Sequence, residues 1–237
     1  MAAAELRKTG ISAVGDVPWG THFCHFYETK EDLLDILIPY FKEGLENNEF
    51  CMWVVFDPID EEGARDELRR FVPDAERYLA EGRIEIVPHA RWYLQGGTFD
   101  LRRVIKGWEE KLGQALARDF EGMRVNGNES WLTEEDWENF TEYEDRLNRM
   151  IAGQRMIVLC TYPLAKTKAG EVFDVARTHQ FAIAKRRGRW EVVETPELKR
   201  AKTEIERLNE ELEQRVVERT AELAAANEEL KREIAER

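Results

Sequence analysis

Glycine and proline are both missing from Glu197 to Arg237, the last 41 residues of a 237-residue chain. Without either breaker, a continuous helix is the expected conformation there. Nowhere does the chain hold about 18 consecutive apolar residues, and no basic segment precedes an apolar one at its start, which argues against a membrane span and a signal peptide. Only three cysteines occur, Cys24, Cys51 and Cys160, each in an apolar run. So sparse and odd a set argues against a disulfide framework and predicts buried thiols in a reducing, cytoplasmic setting. The G-x-S-x-G elbow, H-E-x-x-H, G-x-G-x-x-G and the P-loop G-x-x-x-x-G-K-[ST] are all absent. Basic residues are also in deficit. The net charge is −13, of which residues 197–237 supply −3, with twelve acids against nine bases. The remaining −10 argues against nonspecific nucleic-acid binding as a main role.

What fills the glycine-free stretch is a narrow apolar seam. Ile205, Leu208, Leu212, Val216, Thr220, Leu223, Ala226, Leu230 and Ile234 recur among Glu, Lys and Arg. The late part of the seam advances in steps of three and four that average the heptad period, and the fours between Leu212 and Thr220 form a local phase break. Asn227 falls on a core-type position, where a buried Asn favours a two-stranded parallel register. A homodimeric coiled coil of roughly 60 Å is expected from about 1.5 Å per residue. The run RVVERTAELAAANEELKREIAER, residues 215–237, resembles the signalling helix of bacterial sensor proteins, whose Glu-Arg-Thr signature matches Glu218, Arg219 and Thr220. That resemblance implies an output domain, such as a histidine kinase, beyond the seam. The four histidines, His22, His25, His89 and His179, all precede the coil, so no phosphoacceptor His follows it here.

Residues 1–195 alternate strand and helix patterns. Strands are expected at 21–27, 50–56, 83–87, 123–126 and 155–162, with a hairpin of 181–185 and 190–193 around Arg187-Gly188. Helices are expected at 30–45, at 59–79 interrupted by Pro73, at 99–120, at 133–151 with a capping box starting at Thr133, and at 170–178. Near-continuous apolar strands such as Phe50 to Phe56 belong to parallel sheets covered on both faces. Five β-α units and a hairpin predict an α/β three-layer sandwich with a mostly parallel sheet. Functional groups of such sheets lie beyond the carboxyl ends of the strands. The candidates there are His25, Tyr27, Glu28, His89, Trp92, Tyr93, Asn128, Glu129, Trp131, Glu144, Cys160 and Tyr162, an aromatic-rich set suited to a small organic ligand.

The stretch HFCHFYETKEDLLDILIPYFKEGLENNEFCMWVVFD, residues 22–57, resembles the opening of the MEDS sensory domain. Gly96-Gly97-Thr98-Phe99-Asp100, Gly127-Asn128-Glu129-Ser130-Trp131, Tyr143-Glu144 and Arg177-Thr178-His179 extend the match in order. The resemblance implies a RecA-like sheet descended from ATPases, fusion to kinases or transcription regulators, and sensing of small hydrocarbon derivatives. It also implies a boundary between a sensory domain at 1–195 and a coil at 196–237. ATP hydrolysis is not expected. Tyr27-Glu28-Thr29-Lys30 carries no glycine to let backbone amides wrap a phosphate, and Asn126 stands where an Asp that orients magnesium belongs. No cofactor is expected. Three alternatives remain open: a metal on His22, Cys24 and Cys160, acid–base chemistry by His25 or His89 with a nearby carboxylate, and a protein partner as the signal.

Overall fold

The computed structural model describes residues 5–194 and 196–236, with some side chains of the last helix left out. The chain divides into two compact units, Met1–Val193 and Glu194–Arg237. Thr195, the last residue assigned above to the sensory domain, lies outside the described residues.

The first unit opens with a small antiparallel pair, β1 (Leu6–Lys8) and β2 (Asp16–Pro18). Sequence patterning did not reveal these strands, because three-residue polar strands carry no hydrophobic alternation. A buried ion pair ties them to the core. Arg124 Nε donates to Glu49 Oε2 at 2.6 Å, and its other nitrogens donate to the carbonyls of Lys8, Thr9 and Tyr40. Both charged side chains are fully buried.

The main sheet has seven strands: β3 (His22–Tyr27), β4 (Phe50–Val55), β5 (Ile84–Pro88), β6 (Met123–Asn128), β7 (Met156–Pro163), β8 (Phe181–Arg186) and β9 (Arg189–Glu194). Their order is β5-β4-β6-β7-β3-β8-β9. The pairs from β5 to β8 are all parallel. β8 and β9 form the expected hairpin, turned by Arg187 and Gly188, both at positive φ, the conformation that suits tight two-residue turns.

Helices cover both faces, which is why β3, β4 and β6 are buried along their whole length. One face carries α1 (Lys30–Glu46), α2 (Glu61–Phe71) and the short α3 (Ala75–Ala80). The residues around Pro73 divide α2 from α3, as the sequence suggests. The other face carries α5 (Leu101–Ala117), α6 (Trp137–Ile151) and α7 (Ala169–Thr178), packed over the larger apolar core through Trp108, Phe140, Tyr143, Leu147 and Val175. A single-turn helix, α4 (His89–Trp92), follows β5 where only a loop was expected. Two of the shifted boundaries bear on the strand-end region. The fourth main-sheet strand, β6, runs on to Asn128. α6 begins at Trp137, not Thr133, because Thr133 Oγ1 donates to the Asp136 carboxylate at 2.8 Å and closes a turn before the helix.

The second unit is one helix, α8 (Pro196–Glu236). Leu208, Leu212, Val216 and Leu223 are exposed in the single chain. Glu204, Arg207 and Glu211 pair along its surface at i,i+3 and i,i+4 spacing. The seam side chains of Ile205 and Leu230 lie outside the described residues.

Candidate functional site

Side chains from β3, β7, α6 and the segments that follow α4, β6 and α7 meet in two adjoining buried groups on the α5–α7 face. The first centres on Glu129, just past β6. Tyr93 Oη donates to Glu129 Oε1 at 2.9 Å and Trp131 Nε1 to Oε2 at 3.1 Å. Tyr93 and Trp131 stack with ring centroids 5.2 Å apart, and Phe99, Phe140 and Tyr143 complete the wall. The arrangement is built locally. Arg103 on α5 donates to the backbone carbonyls of Trp92 and Tyr93 at 2.7 and 2.6 Å and pins the segment that presents Tyr93. Gly127 leaves the gap: a Cβ there would lie 2.4 Å from both Glu129 Oε1 and Tyr93 Oη. Burial raises the Glu129 carboxyl to about 8, against the smaller opposing pull of its two donors.

The second group is polar and more deeply enclosed. His22 on β3, Glu144 on α6, Cys160 on β7 and His179 after α7 are all buried, and one ligand-type atom from each lies within 4.8 Å of the others. His22 Nε2 and His179 Nε2 each approach Glu144 Oε2 to 3.3 Å, and His22 Nε2 lies 3.3 Å from Cys160 Sγ. The strands explain the meeting. His22 pairs in register with Val158, so Cys160 lies two residues further along the neighbouring strand, on the same face. Burial lowers His22 to about 4, lowers His179 as well, and raises Glu144 and Cys160.

The remaining candidates are placed as follows. His25 faces the α1 side, 5.3 Å from the ring of Trp190, and both its ring nitrogens lack a hydrogen-bond partner. It is therefore separated from Glu129 and Glu144 by the sheet. Glu28 is exposed. His89 is half-buried against Phe56, with centroids 4.0 Å apart, and burial lowers its pKa. Trp92 packs on Trp108. Asn128 and Tyr27 do not line an open crevice, because they stitch it shut. Asn128 Nδ2 donates to the carbonyls of Phe56 and Asp57, Ser130 Oγ to that of Asp57 at 2.9 Å, and Tyr27 Oη to the same carbonyl at 3.4 Å. Cys24, proposed beside His22 as a metal ligand, points its Sγ to the carbonyl of Phe181 at 3.9 Å and stays out of the polar group. His179 was quoted above only as part of a family motif. Its partnership with His22 follows from β8 pairing beside β3, a long-range fact without a local sequence signal.

Next to both groups lies a cavity of about 80 Å³ at the strand ends, lined by Glu129, Ser130, Trp137, Tyr162, Lys166 and Glu171 among others. Tyr162 Oη joins the two regions by donating to Glu144 Oε1 at 3.4 Å.

Residues 21–180 match the family described as MEDS, the MEthanogen/methylotroph, DcmR Sensory domain. The chain belongs to the MEDS family. This membership supports a role as a signalling input module. Among solved structures, the chain is similar to a KaiC-like protein of the archaeon Pyrococcus horikoshii OT3. The two share 17% identity and a TM-score of 0.57, over 77% of this chain and 81% of that one. It is also similar to the flagellar accessory protein FlaH of Methanocaldococcus jannaschii, with 12% identity and a TM-score of 0.51, over 79% and 85% of the respective chains. These likenesses establish a RecA-like fold for the MEDS domain. A search of curated proteins returns no match.

Proposed function

We propose that this MEDS domain is the ligand-binding input module of a signal-transduction protein, one that reads a small organic molecule and relays it through a dimeric helix to an output domain. The observation that carries this reading is the cavity at the carboxyl ends of β6 and β7, where the buried Glu129, Ser130 and Tyr162 meet Leu132 and Trp137. At about 80 Å³ it offers the space of two or three waters, each occupying about 30 Å³ in the liquid. A compound of one to three carbons with a hydroxyl, carbonyl or carboxyl group fits that size. Lys166 and Glu129 supply a cationic donor and a carboxyl to orient it.

The nucleotide role of the fold is replaced in this reading. Thr29 caps α1 by accepting from the amide of Asp32 at 3.1 Å, and no glycine opens the turn before it. Asn126 Nδ2 donates to the carbonyl of Leu159 at 2.9 Å, inside the sheet. Mass spectrometry of compounds released on denaturing the purified protein is expected to find a small organic molecule. Isothermal titration is expected to show no micromolar Mg-ATP binding. Nucleotide in the first measurement, or tight binding in the second, would overturn the reading.

The relay is assigned to α8. Its exposed seam pairs two copies in parallel, and the ligand acts by binding one arrangement of that pair better than the other. A two-residue insertion after Ala201 is expected to scramble regulation of a fused output while leaving ligand affinity unchanged.

A further inference from the structure

We propose that His22, Glu144, Cys160 and His179 form a binding site for one divalent metal ion of zinc-like chemistry. The first support is convergence. The atoms that meet are His22 Nε2, His179 Nε2, Glu144 Oε2 and Cys160 Sγ, a donor set of two nitrogens, one oxygen and one sulfur. Zinc favours tetrahedral sites of this composition with bonds of about 2.0–2.3 Å. Tetrahedral geometry then sets donor atoms roughly 3.3–3.8 Å apart, and three of the separations here are 3.3 Å.

The second support is the hydrogen-bonding behind the histidines. His22 Nδ1 lies 2.9 Å from Asn148 Oδ1, and His179 Nδ1 lies 2.7 Å from the carbonyl oxygen of Val175. Both partners are acceptors, so both Nδ1 atoms carry the hydrogen and both Nε2 lone pairs face inward. The orientation of Asn148 is itself held, since its Nδ2 donates to the carbonyl of Thr178. Outer hydrogen bonds of this kind fix tautomer and ring direction in metal-ligating histidines. Their inward lone pairs meet Glu144 Oε2, and both Glu144 Oε2 and His179 Nε2 lack a hydrogen-bond partner although both are buried. Four electron-pair donors are thus crowded together, with at most the Cys160 thiol and a carboxyl proton to share among them.

The third support is charge. Metal uptake displaces the proton of the Cys160 thiol and the proton held by Glu144, and both leave to solvent. A thiolate, a carboxylate and a dication sum to zero, which suits a site without access to water. The site stands independently of what occupies the neighbouring cavity. Tyr162, which lines that cavity and donates to Glu144, links the two.

Metal-free protein should be titrated with Co²⁺ and Zn²⁺, followed by elemental analysis after gel filtration. One metal per chain is expected, with a sulfur-to-cobalt charge-transfer band and the visible bands of a tetrahedral site. Cys160→Ser should abolish the charge-transfer band, and Cys24→Ser should leave it intact. Asn148→Ala, which frees the His22 ring, should weaken Zn²⁺ binding about 10- to 100-fold. Failure of the wild-type protein to bind either ion, or a cobalt spectrum without the sulfur band, would overturn the proposal and leave a proton-sharing cluster in its place. The wild-type titration decides the matter even if a variant fails to fold.

Discussion

Glu129 is a carboxyl held in an apolar setting, and its environment dictates how the protein responds to pH. Tyr93 and Trp131 donate to it, while Glu144 and Tyr143 stand nearby on α6. Its folded pKa of about 8 lies above the ordinary carboxylate value of 4.5. Between these two values the folded chain keeps the proton and the unfolded chain has lost it, so this group's contribution to stability falls as pH rises through the window. Glu129→Gln keeps the shape, accepting from Trp131 and donating to Tyr93. It is expected to flatten the dependence of Tm on pH between about 5 and 8, as measured by thermal denaturation in matched buffers. A wild-type Tm that rises across that range, with the variant unchanged, would contradict this assignment. Arg124 makes a different point on the other face. Its guanidinium serves Glu49 and three backbone carbonyls with no access to solvent. Arg124→Ala leaves the buried Glu49 carboxylate with Arg7 as its remaining cationic partner and should cost about 3 kcal/mol in urea denaturation. Most such residue roles were hidden in the sequence. Glu129, Trp131 and Tyr93 were nameable from their place after strands, but the Gly127 gap that lets them meet depends on a close approach that only coordinates reveal.

Elements were more legible than sites. Apolar runs marked β3, β4 and β7, and helical spacing marked α1 and α5, because both patterns follow from burial of one face or two. The misses have local causes. Thr133 and Asp136 hydrogen-bond to each other, so α6 starts a turn late. β1 and β2 depend on Arg124, which lies more than 100 residues away in sequence. Asn128 falls within β6 and closes a crevice that strand-end reasoning had left open. At α1, Thr29 accepts from the amide of Asp32. Thr29→Ala is expected to lower stability by about 1 kcal/mol, read from the shift in denaturation midpoint. In α8, a buried Asn227 would favour the two-stranded state. Asn227→Leu should raise coil stability and broaden the oligomeric distribution seen by sedimentation equilibrium. A single monomeric species for the wild-type chain would remove the relay from the account.

For the whole molecule, the fold assigns separate tasks to the two faces of one sheet. The α1 face is a packed core braced by an ion pair. The α5–α7 face holds the aromatic carboxyl group, the histidine–cysteine cluster and the small cavity side by side. Membership of the MEDS family fits this division, since a RecA-like sheet keeps its strand-end region whatever ligand it serves. Sensing of a small molecule, as proposed, requires that it bind there and stabilise the folded state. The most direct measurement is a thermal-shift screen of one- to three-carbon alcohols, aldehydes and acids against the wild-type chain and Thr167→Phe, whose ring is placed to fill the cavity. The account predicts at least one compound that raises the wild-type Tm with saturating dose and leaves Thr167→Phe unmoved. Equal shifts in both proteins, or none across the panel, would contradict it.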